Sequence, residues 1–243
     1  MKRNAMQDLL RWKADEERKP LVLKGARQVG KTWLMKEFGR VAYAGYVYFN
    51  FDEEDALKSI FAHNKNPQRI IELLSLVAGE KIEPETTLII FDEVQECPEA
   101  LNALKYFKEK ASEYHVIAAG SLLGTLLAQP KSYPVGMVNL LEIQPLTFDE
   151  FLEATDESLF RYYECIEKGQ VIEEIFHKRL LDAYHNYLII GALVLSIVAS
   201  LYFSFLYFGK QNYWQLFLLL APAWIVVYLA SRLRKRPDKE KNA

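Results

Sequence analysis

The sequence predicts an α/β fold: a parallel sheet flanked by helices, followed by a pair of apolar helices. Three observations carry this expectation. Short apolar runs alternate with amphipathic segments of helical length, the pattern of strands joined by crossover helices. Two of the runs, 88–91 and 115–119, are nearly continuous in apolar residues, as strands buried on both faces are. From Tyr187 to Ser231 the only charged residue is Lys210, so the chain enters a different physical environment there.

Residues 4–18 read as a helix with Ala5, Leu9, Leu10 and Trp12 near one face. A first strand follows at 21–24. The glycine-containing segment 25–32 comes next, and Trp33–Phe38 continues in a helix-compatible pattern. Gly45-Tyr46-Val47-Tyr48-Phe49-Asn50-Phe51 is aromatic and bounded by turn or acidic residues, which marks a second strand. Helices are expected over 53–62 and 67–79, and a third strand over 88–91. Pro98 suits the first turn of a helix reaching about residue 112. His115–Ala119 is the fourth strand, ending at Gly120-Ser121, and Val138–Ile143 the fifth. Thr147-Phe148-Asp149-Glu150 has the form of a capping box opening a helix to about 153. Residues 157–185 read as helical and charged.

The 243 residues suit one or two domains. The expected division is an α/β domain over 1–186, an apolar hairpin over 187–231 and a basic tail over 232–243. A net charge of −2 gives no global attraction to polyanions. Cys97 and Cys165 stand far apart and read as reduced thiols. The histidines His63, His115, His177 and His185 lack zinc spacing, and His115, in an apolar strand, reads as structural. Met1-Lys2-Arg3-Asn4 leads into a charged amphipathic segment, so no secretory signal is expected.

Gly25-Ala26-Arg27-Gln28-Val29-Gly30-Lys31-Thr32 matches G-x-x-x-x-G-K-[ST] between a strand and a helix. Glycines permit backbone conformations closed to other residues. Successive N–H groups can then converge on phosphate oxygens, helped by the positive end of the helix. In such a loop Lys31 supplies a point charge to the β/γ-phosphates and the Thr32 hydroxyl a ligand for Mg²⁺. Arg27 either neutralises phosphate charge or faces solvent.

Asp92 and Glu93 directly follow the third strand. An acidic residue there can hold Mg²⁺, usually through water, beside Thr32. Glu93 is placed to polarise an attacking water as a general base. Ser121, at the end of the fourth strand, either senses the γ-phosphate and orients water or belongs to an ordinary Gly-Ser turn. No residue identifies itself as an arginine finger in cis, which leaves a finger from a neighbouring subunit, and so a homo-oligomer, open.

Taken in order, Lys19–Thr32, Phe91-Asp92-Glu93-Val94-Gln95-Glu96, Ala119–Leu123 and Pro145–Leu152 resemble the prokaryotic AAA-type P-loop ATPases (the AAA_14 core) that usually carry a DUF4143 domain behind the core. The resemblance covers roughly 4–191. It implies a P-loop fold of the additional-strand class with ATP and Mg²⁺ as cofactors. Lys31 and Thr32 would be Walker A residues, Asp92 and Glu93 Walker B, and Ser121 the sensor.

Beyond Gly191 the chain departs from that family's pattern. A helix over 187–208 would be about 33 Å long, enough for a hydrocarbon core of about 30 Å. Gly209–Asn212 makes a polar turn, and 213–231 is a second uncharged stretch. Pro222 would kink it, as membrane helices tolerate. Arg232, Arg234, Lys235 and Arg236 follow, which by the positive-inside rule puts the C-terminus, and with two crossings residues 1–186, on the cytoplasmic face of the inner membrane. Two buried helices of a larger core, or a hairpin joined by recombination or frameshift, are the other readings. Expected function is therefore a membrane-anchored Mg-dependent ATPase; the competing one is a non-hydrolytic nucleotide-binding adaptor or degraded ATPase. No basic, aromatic-interleaved stripe marks a nucleic-acid site.

Overall fold

Alternation of side chains across a pleated strand explains how the apolar runs are used. In β1 (Leu21–Lys24), Leu21 and Leu23 join one core while Val22 joins the other. The same division sends Ile89 and Phe91 of β3 (Thr87–Asp92) to one face and Leu88 and Ile90 to the opposite face. In β4 (His115–Ala119) it sends Val116 and Ala118 one way and Ile117 and Ala119 the other. Every residue of β3 and β4 is buried, the condition for a central strand covered on both sides.

In the computed structural model, residues 3–62, 65–120, 136–167 and 169–207 are described, the last sixteen of them as backbone only. β2 (Gly45–Asn50) and β5 (Asn139–Glu142) complete a five-stranded sheet in the order β2-β3-β4-β1-β5. All four pairings are parallel. β4 thus lies between the strand that feeds the glycine loop and the strand that ends in Asp92. The register aligns Asn50 with Asp92 and Leu23 with Ala119, so the polar strand tips gather at one edge.

Parallel neighbours need long crossovers, and helices supply them. α1 (Ala5–Ala14) and α2 (Lys31–Ala42) cover one face through Leu9, Trp12, Leu34, Met35 and Phe38. The other face takes α3 (Asp55–Ala62), α4 (Pro67–Ala78) and α5 (Pro98–Lys110). There Phe51, Phe61 and Phe91 meet edge-on with centroids 5.6 Å apart, a geometry that suits ring quadrupoles.

Most elements lie within two residues of their expected ends. α1 is shorter than expected, ending at Ala14. The Asp15 side chain accepts the Glu17 N–H at 2.9 Å, an Asx turn that competes with the next helical turn. The capping box forms in both directions: the Thr147 N–H donates to Glu150 Oε2 at 3.0 Å and the Glu150 N–H to Thr147 Oγ1 at 3.3 Å. It opens α6 (Phe148–Thr155).

The segment 157–185, expected to be helical, forms two helices separated by a break. α7 (Glu157–Glu164) is capped by Asp156, whose carboxylate accepts the Leu159 N–H at 3.0 Å. Gly169 then takes φ +91° and the Gln170 N–H closes a turn onto Glu167 at 3.0 Å, a conformation glycine adopts at little cost. α8 (Glu174–Tyr207) follows and runs unbroken through Tyr187, so the charged segment and the first apolar segment share one helix.

The chain divides into two compact units, 1–150 and 151–243, and the first contains the whole sheet. Among the described residues no helix is long and apolar enough to cross a membrane. Ser121, residue 208, the second apolar stretch 213–231 and the tail 232–243 lie outside the described residues, as do the side chains of 192–207.

Candidate functional site

The loop that leaves β1 is shaped by three backbone positions. Gly25 has φ +156°, and a Cβ built there would stand 2.5 Å from the Ile143 carbonyl oxygen, so a side chain is sterically excluded. Gln28 and Gly30 adopt left-handed conformations, with φ +62° and +85°. Gly30 is the N-cap of α2 and, having no side chain, gives that helix no side-chain cap. The N-cap position therefore leaves the first amide donors open at the end where an anion is favoured. Ala26, Arg27 and Gln28 are exposed at the crest, while Val29 is buried.

Lys31 is the first residue of α2 and is 8% exposed. Its Nζ donates to the Gly25 and Ala26 carbonyls at 2.9 and 2.8 Å. Burial holds its pKa below the ordinary lysine value; Glu93 and Asp92 oppose this shift and Arg27 adds to it. Thus the ammonium lies across the loop, held by main-chain oxygens.

The strand tip meets the helix directly. Thr32 Oγ1 donates to Asp92 Oδ2 at 2.6 Å, joining residues 60 positions apart. Tyr48 donates to the same oxygen at 3.0 Å, and the Glu93 N–H to Asp92 Oδ1 at 3.0 Å. Asp92 is only 3% exposed, so these donors satisfy a carboxylate that water barely reaches. Tyr48 is held far above the usual phenol range, first by burial and then by Asp92. The Lys36 ammonium sits 3.5 Å from the centre of its ring.

Glu93 adopts φ +48° and ψ +41°, an unusual conformation for a side-chain-bearing residue and one that clusters at functional sites. Gln95 Nε2 donates to Glu93 Oε2 at 2.5 Å, while Gln95 Oε1 is buried with no hydrogen-bond partner. Lys31, Thr32, Asp92 and Glu93 are therefore brought to one sheet edge. Tyr48 and Gln95 join them without having been singled out from sequence. Tyr48 is legible only once β2 is known to pair with β3. Gln95 sits in the Phe91–Glu96 stretch already quoted, two residues from Glu93.

His115 lies at the opposite end of its strand. Its Nδ1 shares a 2.7 Å hydrogen bond with the Tyr43 hydroxyl, and Nε2 has no partner. Burial, with Arg18 and Lys13 nearby, lowers its pKa to about 4. Both cysteines are free; Cys97 is buried, which raises its thiol pKa, and Cys165 is exposed. Among the described residues no group of three or more His, Cys, Asp or Glu side chains could hold a metal ion.

A family model described as "AAA domain" (AAA_14) matches residues 17–152, more than half of the chain. No curated protein matches the sequence. Among solved structures the chain is similar to the Walker-type ATPase PABY2304 of Pyrococcus abyssi, with 16% identity, 97% of this chain and 76% of that chain covered, and a TM-score of 0.49. It is also similar to C. elegans PCH-2, with 13% identity, coverage of 94% and 68% and a TM-score of 0.39. For AMPPCP-bound DnaA from Aquifex aeolicus the identity is 15%, the coverage 73% and 55% and the TM-score 0.37. The matched segment spans the whole sheet, with β4 inserted between the loop strand and the acidic strand: the chain belongs to the AAA domain family.

Proposed function

We propose that this protein binds Mg-ATP and hydrolyses it at the edge formed by the 25–32 loop and the tip of β3. The observation that carries the reading is the 2.6 Å contact between Thr32 Oγ1 and Asp92 Oδ2. It joins a hydroxyl and a carboxylate, the hard oxygen donors Mg²⁺ prefers. That no larger acidic cluster is present among the described residues fits an ion bound by one or two protein groups together with substrate phosphates. When bound, Mg²⁺ neutralises charge on the β- and γ-phosphates; Thr32 and Asp92 are the residues that would hold it, Asp92 through water.

The remaining work falls to the chain's own groups. Lys31 exchanges its two carbonyl acceptors for phosphate oxygens, which offer full rather than partial negative charge. The loop amides and the uncapped start of α2 hold the same phosphates in place. Glu93 takes the proton of the attacking water, and Gln95 fixes the direction of its carboxylate. In E93Q, phosphate release should fall by about a hundredfold or more, with nucleotide still bound, because a general base contributes that much. Unchanged turnover would refute Glu93 as the base. Nucleotide bound tightly by the unaltered chain without any turnover would instead favour the non-hydrolytic adaptor.

The reading includes attachment to the cytoplasmic face of the inner membrane. Its supports are the uncharged run 187–208, the helical backbone that continues to Tyr207, and the basic cluster Arg232–Arg236 that follows the second uncharged stretch in the sequence. Recovery of intact protein in the membrane pellet after an alkaline carbonate wash is the expected result. Recovery in the supernatant would remove the anchor from the proposal.

A further inference from the structure

Arg3 lies upstream of the residues matched by the family model, yet its side chain ends at the phosphate loop. Nη1 donates to the Val29 carbonyl at 3.1 Å, Nη2 to the Gln144 carbonyl at 2.7 Å and Nε to Glu150 Oε1 at 3.2 Å. All three nitrogens are therefore used, and Arg3 is only 7% exposed. Glu150 is equally committed. It also accepts the Asn4 N–H at 2.7 Å and closes the capping box of α6. The other end of the loop is held by the same neighbourhood, since the Ile143 N–H donates to the Lys24 carbonyl at 2.8 Å and Ile143 O stands against Gly25.

A buried ion pair is in general a weak source of stability. What distinguishes this one is the third contact, to a main-chain oxygen inside the loop. Val29 sits between two residues in left-handed conformations, Gln28 and Gly30. The peptide between Val29 and Gly30 is planar and trans, so its C=O and N–H point in opposite directions. Glycine imposes little preference on that orientation. Holding the Val29 oxygen on the Arg3 side therefore aims the Gly30 N–H away from Arg3.

Resting on the nucleotide reading above, we infer that Arg3 is a positioning residue: it fixes the Val29–Gly30 peptide so that the Gly30 N–H faces the phosphates of a nucleoside triphosphate. A guanidinium is required because one rigid fork must reach two carbonyls and a carboxylate at once. A lysine ammonium keeps the charge without that geometry.

The test uses the full chain with R3K and R3M, measuring affinity for a fluorescent ATP analogue, steady-state kcat and KM, and the urea unfolding midpoint. R3K should weaken nucleotide binding about tenfold, the scale of one hydrogen bond from a charged donor, with kcat within about twofold. R3M should weaken binding at least as much. Should R3M fail to fold, R3K alone decides. Nucleotide affinity unchanged in the folded variants, whatever happens to the unfolding midpoint, would overturn the inference and leave Arg3 a structural tie. Failure of the unaltered chain to bind the analogue would instead overturn the nucleotide reading beneath it.

Discussion

At the carboxyl ends of the strands, Asp92 is 3% exposed and receives donors from Thr32, Tyr48 and the Glu93 N–H. At the amino ends, His115 is 4% exposed, with Tyr43 on one nitrogen and nothing on the other. Arg18 Nε beside it is also buried without a partner. Trp12 packs its edge against His115 with centroids 6.0 Å apart, and Tyr43 does so at 5.4 Å. Both ends bury polar groups at similar depth. One end surrounds a carboxylate with hydrogen-bond donors, where the proposed Mg²⁺ site lies. The other packs an imidazole among aromatic rings, where burial, with Arg18 and Lys13 nearby, lowers its pKa. Depth of burial alone therefore does not distinguish the two ends; the supply of partners does.

Four substitutions probe this contrast, beginning with the largest expected effect. K31A removes the ammonium that lies across the loop and should reduce turnover by about a hundredfold or more. Its unfolding midpoint should change little, because Lys31 bonds only to carbonyls at the loop itself. Turnover near that of the unaltered chain would end the claim that this edge of the sheet is the working one.

The imidazole at the opposite end should reveal itself in pH rather than in rate. Its pKa is depressed in the folded chain, so the unfolded chain takes up a proton first as pH falls. Stability is lost from about pH 6.5 downward and the loss levels off below the folded value of about 4. The full difference corresponds to about 3 kcal/mol. In H115Q the urea midpoint should fall less steeply over that window; a decline parallel to that of the unaltered chain would show that His115 does not stay neutral.

Y48F keeps the ring under Lys36 but removes one donor to Asp92, at a cost of about 1.5–3 kcal/mol for a hydrogen bond to a charged group. Here the readout is the Mg²⁺ concentration giving half-maximal turnover, which should shift several-fold. Y43F removes the counterpart at the other end, at about 1 kcal/mol for a neutral bond. Thermal denaturation should report that loss while turnover stays unchanged. If Y43F lowered turnover as much as Y48F, the two ends would not be functionally distinct.

Legibility differed sharply between parts of the chain. The strands were readable because a buried parallel strand needs a run of apolar residues, and Leu88–Phe91 and Val116–Ala119 have no other easy use. The capping box was readable because both of its bonds join residues three apart. The break after Glu164 was not, since residues 157–185 carry a helix-compatible charge pattern and the one turn-former, Gly169, is a single residue. Tyr48, Gln95 and Arg3 escaped notice for different reasons. Tyr48 depends on a strand pairing, Gln95 on the direction of one side chain, and Arg3 on contacts 26, 141 and 147 positions away.

By itself the sequence determined the order of strands and helices, the glycine loop with Lys31 and Thr32, and the acidic pair after the third strand. These are local properties, written in periodicity, glycine spacing and polarity. Only the tertiary structure decided that β4 inserts between β1 and β3, that the Thr32 hydroxyl reaches Asp92, and that Arg3 holds the back of the loop. Each of those depends on groups distant along the chain coming within hydrogen-bond length, and such distances are set by packing of the whole core rather than by any local pattern.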